Sequence, residues 1–139
     1  MSKVLAVDYG SKRVGVASGE SEFAMAFPRE VILNTSVNDV VDKIAKLVLD
    51  LGVDIVVVGL PLNMNDGHED NPILLGVNKF FDSLSSRLKD VEVVFLDERL
   101  SSFEADQMME KIKNEVGDSV IGRDAYAACV ILQRFFDKQ

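Results

Sequence analysis

The run Asp54-Ile55-Val56-Val57-Val58-Gly59 constrains this fold more than any other part of the chain. A strand whose apolar residues follow one another without alternation is buried on both faces, the mark of a parallel strand with helices above and below. Its flanks supply those helices. Before it, Val37, Val40, Val41, Ile44, Leu47, Val48 and Leu51 recur at helical spacing, with Gly52 as a stop. After it, Asn71-Pro72 opens a second helix striped by Ile73, Leu74, Val77, Phe80, Phe81, Leu84 and Leu88. Val91 to Leu96 then reads as another buried strand, ending in Asp97-Glu98-Arg99.

The segment before the first helix has a different period. Val4 to Val7 and Arg13 to Ser18 read as strands joined by the tight Tyr9-Gly10-Ser11-Lys12 link, and Met25 to Leu33 as a third. Pro28 cannot donate to a ladder, so the third strand belongs away from the sheet centre. Short links between the three predict an antiparallel meander. Ser101-Ser102-Phe103-Glu104 offers a capping box for a helix carrying Ala105, Met108, Met109, Ile112 and Val116 on one side, closed by Gly117. A last helix starts near Asp124 and turns Ala125, Ala128, Cys129, Leu132, Phe135 and Phe136 inward. No repeat or linker divides residues 1–139. The expected fold is α/β: one domain with a mixed five-stranded sheet, the meander plus parallel strands, and helices on both faces.

A chain of 139 residues, 47% of them hydrophobic, can bury a full core without staples. Its single cysteine excludes an internal disulfide and fits a reducing compartment. No stretch reaches the roughly 20 apolar residues that span a bilayer, and Asp8 interrupts an N-terminal apolar run too short for a signal peptide. A cytoplasmic protein with no membrane association is expected. The net charge of −8 opposes general nucleic-acid affinity. An enzyme of this charge that acts on nucleic acid must be selective, weakly steered or guided by a partner.

Three acidic positions carry the chemistry. Strand pleating puts Val4, Ala6 and Asp8 on one face, so Asp8 ends a buried strand, where an ionised carboxylate is costly unless paired or metal-bound. Alternatively, Asp8 only ties down the turn. Asp97 and Glu98 repeat the pattern at the end of another strand, and parallel strands end on one sheet edge, where ligands collect. One of that pair is expected to pair with Arg99 or cap the next helix. Asp124 reads first as a helix N-cap. The small residues Ala125, Ala127 and Ala128 allow the helix start to pack close to the sheet edge and bring Asp124 to the other acids. Carboxylates gathered there repel one another unless a cation neutralises them. Oxygen donors without cysteine or histidine clusters point to Mg²⁺ or Mn²⁺, a site suited to phosphodiester hydrolysis.

Around this edge Gly10 permits close backbone approach to a ligand or a left-handed turn. Gly59, the amide of Asn63, Lys12, Arg13 and Arg99 are placed to contact phosphate. His68, the lone histidine, reads as a solvated loop residue, and Cys129 as inert core.

Together these segments resemble the YqgF/RuvX family. The matching stretches are Leu5-Ala6-Val7-Asp8-Tyr9-Gly10 with Arg13-Val14-Gly15-Val16-Ala17, Val58-Gly59-Leu60-Pro61-Leu62-Asn63 with Asp66-Gly67, Asp97-Glu98-Arg99-Leu100-Ser101-Ser102, and Asp124 with Ala127-Ala128 and Ile131-Leu132-Gln133. The resemblance implies an RNase H-like fold and a metal-dependent endonuclease that matures the 5′ end of 16S rRNA, with precursor rRNA, and the ribosomal subunit that holds it, as partners. It also implies Asp8, Asp97-Glu98 and Asp124 as the acidic set. Ser101-Ser102 stands where the family usually has threonines, and His68-Glu69-Asp70 makes the loop more acidic than usual. Arg123 keeps a positive charge beside Asp124 where a lysine is common.

Other readings of the same residues are cleavage of branched DNA, nucleotide binding through a hairpin like that of actin-like kinases, and a non-catalytic nucleic-acid or ribosome-associated binding module. The nucleotide reading needs a second domain that 139 residues do not accommodate. The net charge favours the binding module.

Overall fold

The computed structural model describes residues 2–59, 72–96 and 123–138, with Gln107, Glu110, Lys111 and Asn114 between them. Among the described residues there are five strands: β1 (Lys3–Tyr9), β2 (Arg13–Glu20), β3 (Met25–Leu33), β4 (Ile55–Gly59) and β5 (Glu92–Leu96). Helices α1 (Val37–Leu51), α2 (Pro72–Arg87) and α3 (Arg123–Asp137) accompany them. The four isolated residues are helical and exposed, and their spacing marks one outward helical face.

The sheet order is β3-β2-β1-β4-β5. β1 pairs antiparallel with β2 and parallel with β4, and β4 pairs parallel with β5. The expected mixed sheet and meander are therefore present. β3 is an edge strand, and its register against β2 shifts where Val16 faces Glu30 and Ala17 faces Pro28. Proline sits where the ladder can spare a donor.

Pleating sends alternate β1 residues into two cores. Leu5, Val7 and Tyr9 join Val40, Ile44, Val48, Phe80 and Leu84 beneath α1 and α2. Val4 and Ala6 join Ala17, Val57, Ala128, Cys129 and Leu132 beneath α3. Helices thus cover both faces. Local chemistry fixes α1: the Ser36 hydroxyl accepts from the Asp39 amide, and Gly52 ends the helix at φ 68°, ψ 44°. Tyr9 stacks on Phe80 with ring centroids 4.5 Å apart, which ties the far end of β1 to α2.

Candidate active site at the Asp8 end of the sheet

β1 runs two residues past Val7, so Asp8 lies inside the ladder, level with Gly15 of β2 and Gly59 of β4. Gly59 is in turn level with Leu96, the last residue of β5. Three strands present one edge at this level. Asp97 and Glu98 follow Leu96 in sequence but lie outside the described residues, as do Asn63, His68 and Arg99.

The Asp8 side chain shares its face with Val4 and Ala6, the α3 face. There the helix comes unusually near. A Cβ added at Gly15 would lie 1.8 Å from the Asp124 carbonyl oxygen, so the first turn of α3 rests directly on β2 backbone. Further along β2, a Cβ at Gly19 would meet the Met25 carbonyl oxygen of β3 at 2.3 Å and the Phe136 ring of α3 at 3.2 Å. Small residues on this face set the helix height, and that height puts Asp124 beside Asp8.

The two carboxylates differ in their partners. Asp124 accepts a hydrogen bond from Arg13 Nε at 2.8 Å. Asp8 retains partial exposure as a residue, yet its Oδ1 is buried with no hydrogen-bond partner among the described residues. Burial, assisted by the nearby Asp124 charge, lifts the Asp8 pKa from its ordinary 3.8 to about 7. Burial alone pushes the Cys129 thiol up to about 12, in keeping with an inert core cysteine.

The residues expected around the edge take mixed roles. Gly10 is not in the left-handed region. Its lack of a side chain matters because a Cβ would meet the Arg13 carbonyl oxygen at 2.5 Å, so glycine is what allows the β1–β2 link to close tightly. Asn34 clamps that link, donating from Nδ2 to the Gly10 carbonyl at 2.8 Å and from its amide to the Lys12 carbonyl at 2.9 Å. Lys12 is exposed. Arg13, expected at phosphate, engages Asp124 in this structure. Gly59, also expected at phosphate, lies close under α3: a Cβ there would lie 2.6 Å from Ile131 Cδ1. Arg123 begins α3. Gly15 was not singled out from sequence, although Gly15, Ala17 and Gly19 alternate along β2 as a row of small side chains on one face.

As a cation cradle the geometry fits. It combines an orphaned buried carboxylate oxygen, a second carboxylate brought over it by a close helix, and oxygen-only donors. Among the described residues no group of three potential ligands gathers, and Asp8 and Asp124 are near enough for the charge of one to act on the other.

Solved structures define the fold. Thermus thermophilus RuvC in complex with Holliday junction substrate superposes with TM-score 0.68 at 12% identity, over 99% of this chain and 95% of that one. The fowlpox virus Holliday junction resolvase gives 0.61 at 10% identity, over 99% of each chain. The fold is RNase H-like. The RuvX family model, described as Holliday junction resolvase, matches residues 2–138, and the chain belongs to that family. A relative from Endomicrobium trichonymphae, named as a candidate pre-16S rRNA nuclease, is 32% identical over 100% of this chain and 98% of its own. One of the same name from Chloroflexus aurantiacus is 37% identical over 96% and 86%. The chain is a hydrolase of the phosphodiester class. Among the described residues no helix is long and apolar enough to cross a membrane.

Proposed function

We propose that this chain is a single-domain, divalent-metal-dependent endonuclease that cuts precursor 16S rRNA during 5′-end maturation in the cytoplasm. The observation that carries the reading is the buried, unpaired Oδ1 of Asp8, facing the helix that brings in Asp124. A lone buried carboxylate oxygen is costly, and a shared cation removes the cost.

Asp8 and Asp124 would hold Mg²⁺ or Mn²⁺, with Asp97 or Glu98 completing the acidic set from the end of β5. The ion, when bound, supplies charge neutralisation at the phosphate and activation of the attacking water. The chain itself supplies position. Asp8 is fixed by ladder pairing on both sides, and Asp124 by the seat of α3 on Gly15. Lys12, Arg123, Arg99, Asn63 and the Gly10 backbone would line the phosphate path. With a net charge of −8, affinity must come from these local contacts rather than from long-range attraction.

A second reading, cleavage of branched DNA, is favoured by the family description and by the junction-bound RuvC neighbour. Cleavage of precursor 16S rRNA and of a synthetic four-way junction, with Mn²⁺, separates the two. The expected result is rRNA cleavage that Asp8→Asn and Asp124→Asn each reduce at least about 1,000-fold, with folding retained. Faster junction cleavage moves the assignment to DNA, and unchanged cleavage by both variants removes these residues from the mechanism.

A further inference from the structure

The acidic pair already has a cation of its own. Arg13 Nε donates to Asp124 Oδ2 at 2.8 Å, joining the start of β2 to the first turn of α3. The two side chains remain 57% and 32% exposed, so solvent screens the contact and it can open without disturbing the core. Asp8, whose Oδ1 is sealed, has no such partner among the described residues. One carboxylate of the cluster is thus engaged and the other is not.

We propose that Arg13 is the resident counter-ion of this site. It holds Asp124 in place while no divalent ion is bound, yields that carboxylate when the ion arrives, and is then released toward the substrate phosphate. The inference rests on the reading above, in which Asp8 and Asp124 share an ion. Two negative groups beside each other need a positive one. A guanidinium and a divalent cation cannot both crowd the same oxygen without repelling each other, so Arg13 and the ion compete. The exposure of Arg13 lets it swing away, and a planar guanidinium freed at the sheet edge is well shaped for a phosphate.

The test is Mn²⁺ binding to the full chain, without nucleic acid, by titration calorimetry. Arg13→Gln is expected to bind Mn²⁺ about three- to tenfold more tightly than wild type at low salt, with the gain shrinking as salt rises. Arg13→Lys, which keeps the charge, is expected within about twofold of wild type. Unchanged or weaker binding by Arg13→Gln overturns the proposal. Asp8→Asn separates the two layers. If it binds Mn²⁺ like wild type, the shared-ion reading fails and takes this proposal with it. If it loses binding while Arg13→Gln is unchanged, only the counter-ion role fails. The Nε–Hε resonance of Arg13 gives a direct readout: it is expected to shift when diamagnetic Mg²⁺ is added, and a resonance unmoved at saturation contradicts the handover.

Discussion

The two faces of the sheet are built on opposite principles. Beneath α1 and α2 the packing uses bulk: Leu5, Ile44, Phe80 and Leu84 are all fully buried there. Beneath the first turns of α3 the sheet side chains are small, and Gly15, Ala17 and Gly59 let the helix come down close to the strands there. The first arrangement maximises apolar area removed from water. The second gives up some of that area for proximity, and proximity is what sets Asp124 against Asp8. Both sides carry a core, and the candidate chemistry lies on the α3 side alone.

Substitutions can break that contrast. Gly15→Ala strikes the close face where the tolerance is smallest, because the methyl group would meet backbone and the helix start must lift. We expect about 3 kcal/mol lost in urea melts and cleavage reduced about 100-fold or more at temperatures where the variant is folded. Leu84→Ala on the bulky face should cost a comparable 2–4 kcal/mol, roughly, but leave cleavage at low temperature within about twofold of wild type. Equal damage to activity from both would erase the distinction between the faces.

A smaller effect sharpens it. The raised pKa of Asp8 means that the folded protein keeps a proton the unfolded chain gives up. Metal-free stability should therefore decline as pH rises from about 4 to about 7 and carry the full penalty above that range. Asp8→Asn should remove this contribution and melt higher than wild type above pH 7 without metal, by about 3–6 °C. A lower melting temperature would mark Asp8 as structural. Mn²⁺ affinity should rise with pH up to about 7, because the Asp8 proton must leave first.

Much of this was legible in the sequence, for definite reasons. The uninterrupted Ile55–Gly59 run required cover on both faces, and helices provide it. Pro28 placed β3 at an edge, and the Ala-rich start of the last helix announced its close approach. Sequence reasoning located Asp8 and Asp124 by strand end and helix start. What it could not supply was the height of α3 above the sheet. That is set by Gly15, which reads locally as an ordinary strand residue and shows its role only once β2 faces Asp124. Arg13 was equally opaque. A basic residue beside a candidate phosphate site points to phosphate, and only the fold shows that its nearest anion belongs to α3. Residues 60–71 and the Asp97-Glu98 segment lie outside the described residues.

The most direct measurement is a crystal soaked in Mn²⁺ and read by anomalous scattering. A peak within about 2.5 Å of carboxylate oxygens from both Asp8 and Asp124 is the predicted outcome. Density bound elsewhere, with Asp8 still unpaired at saturating metal, would contradict the idea that a lowered helix and a strand end were brought together to share one ion.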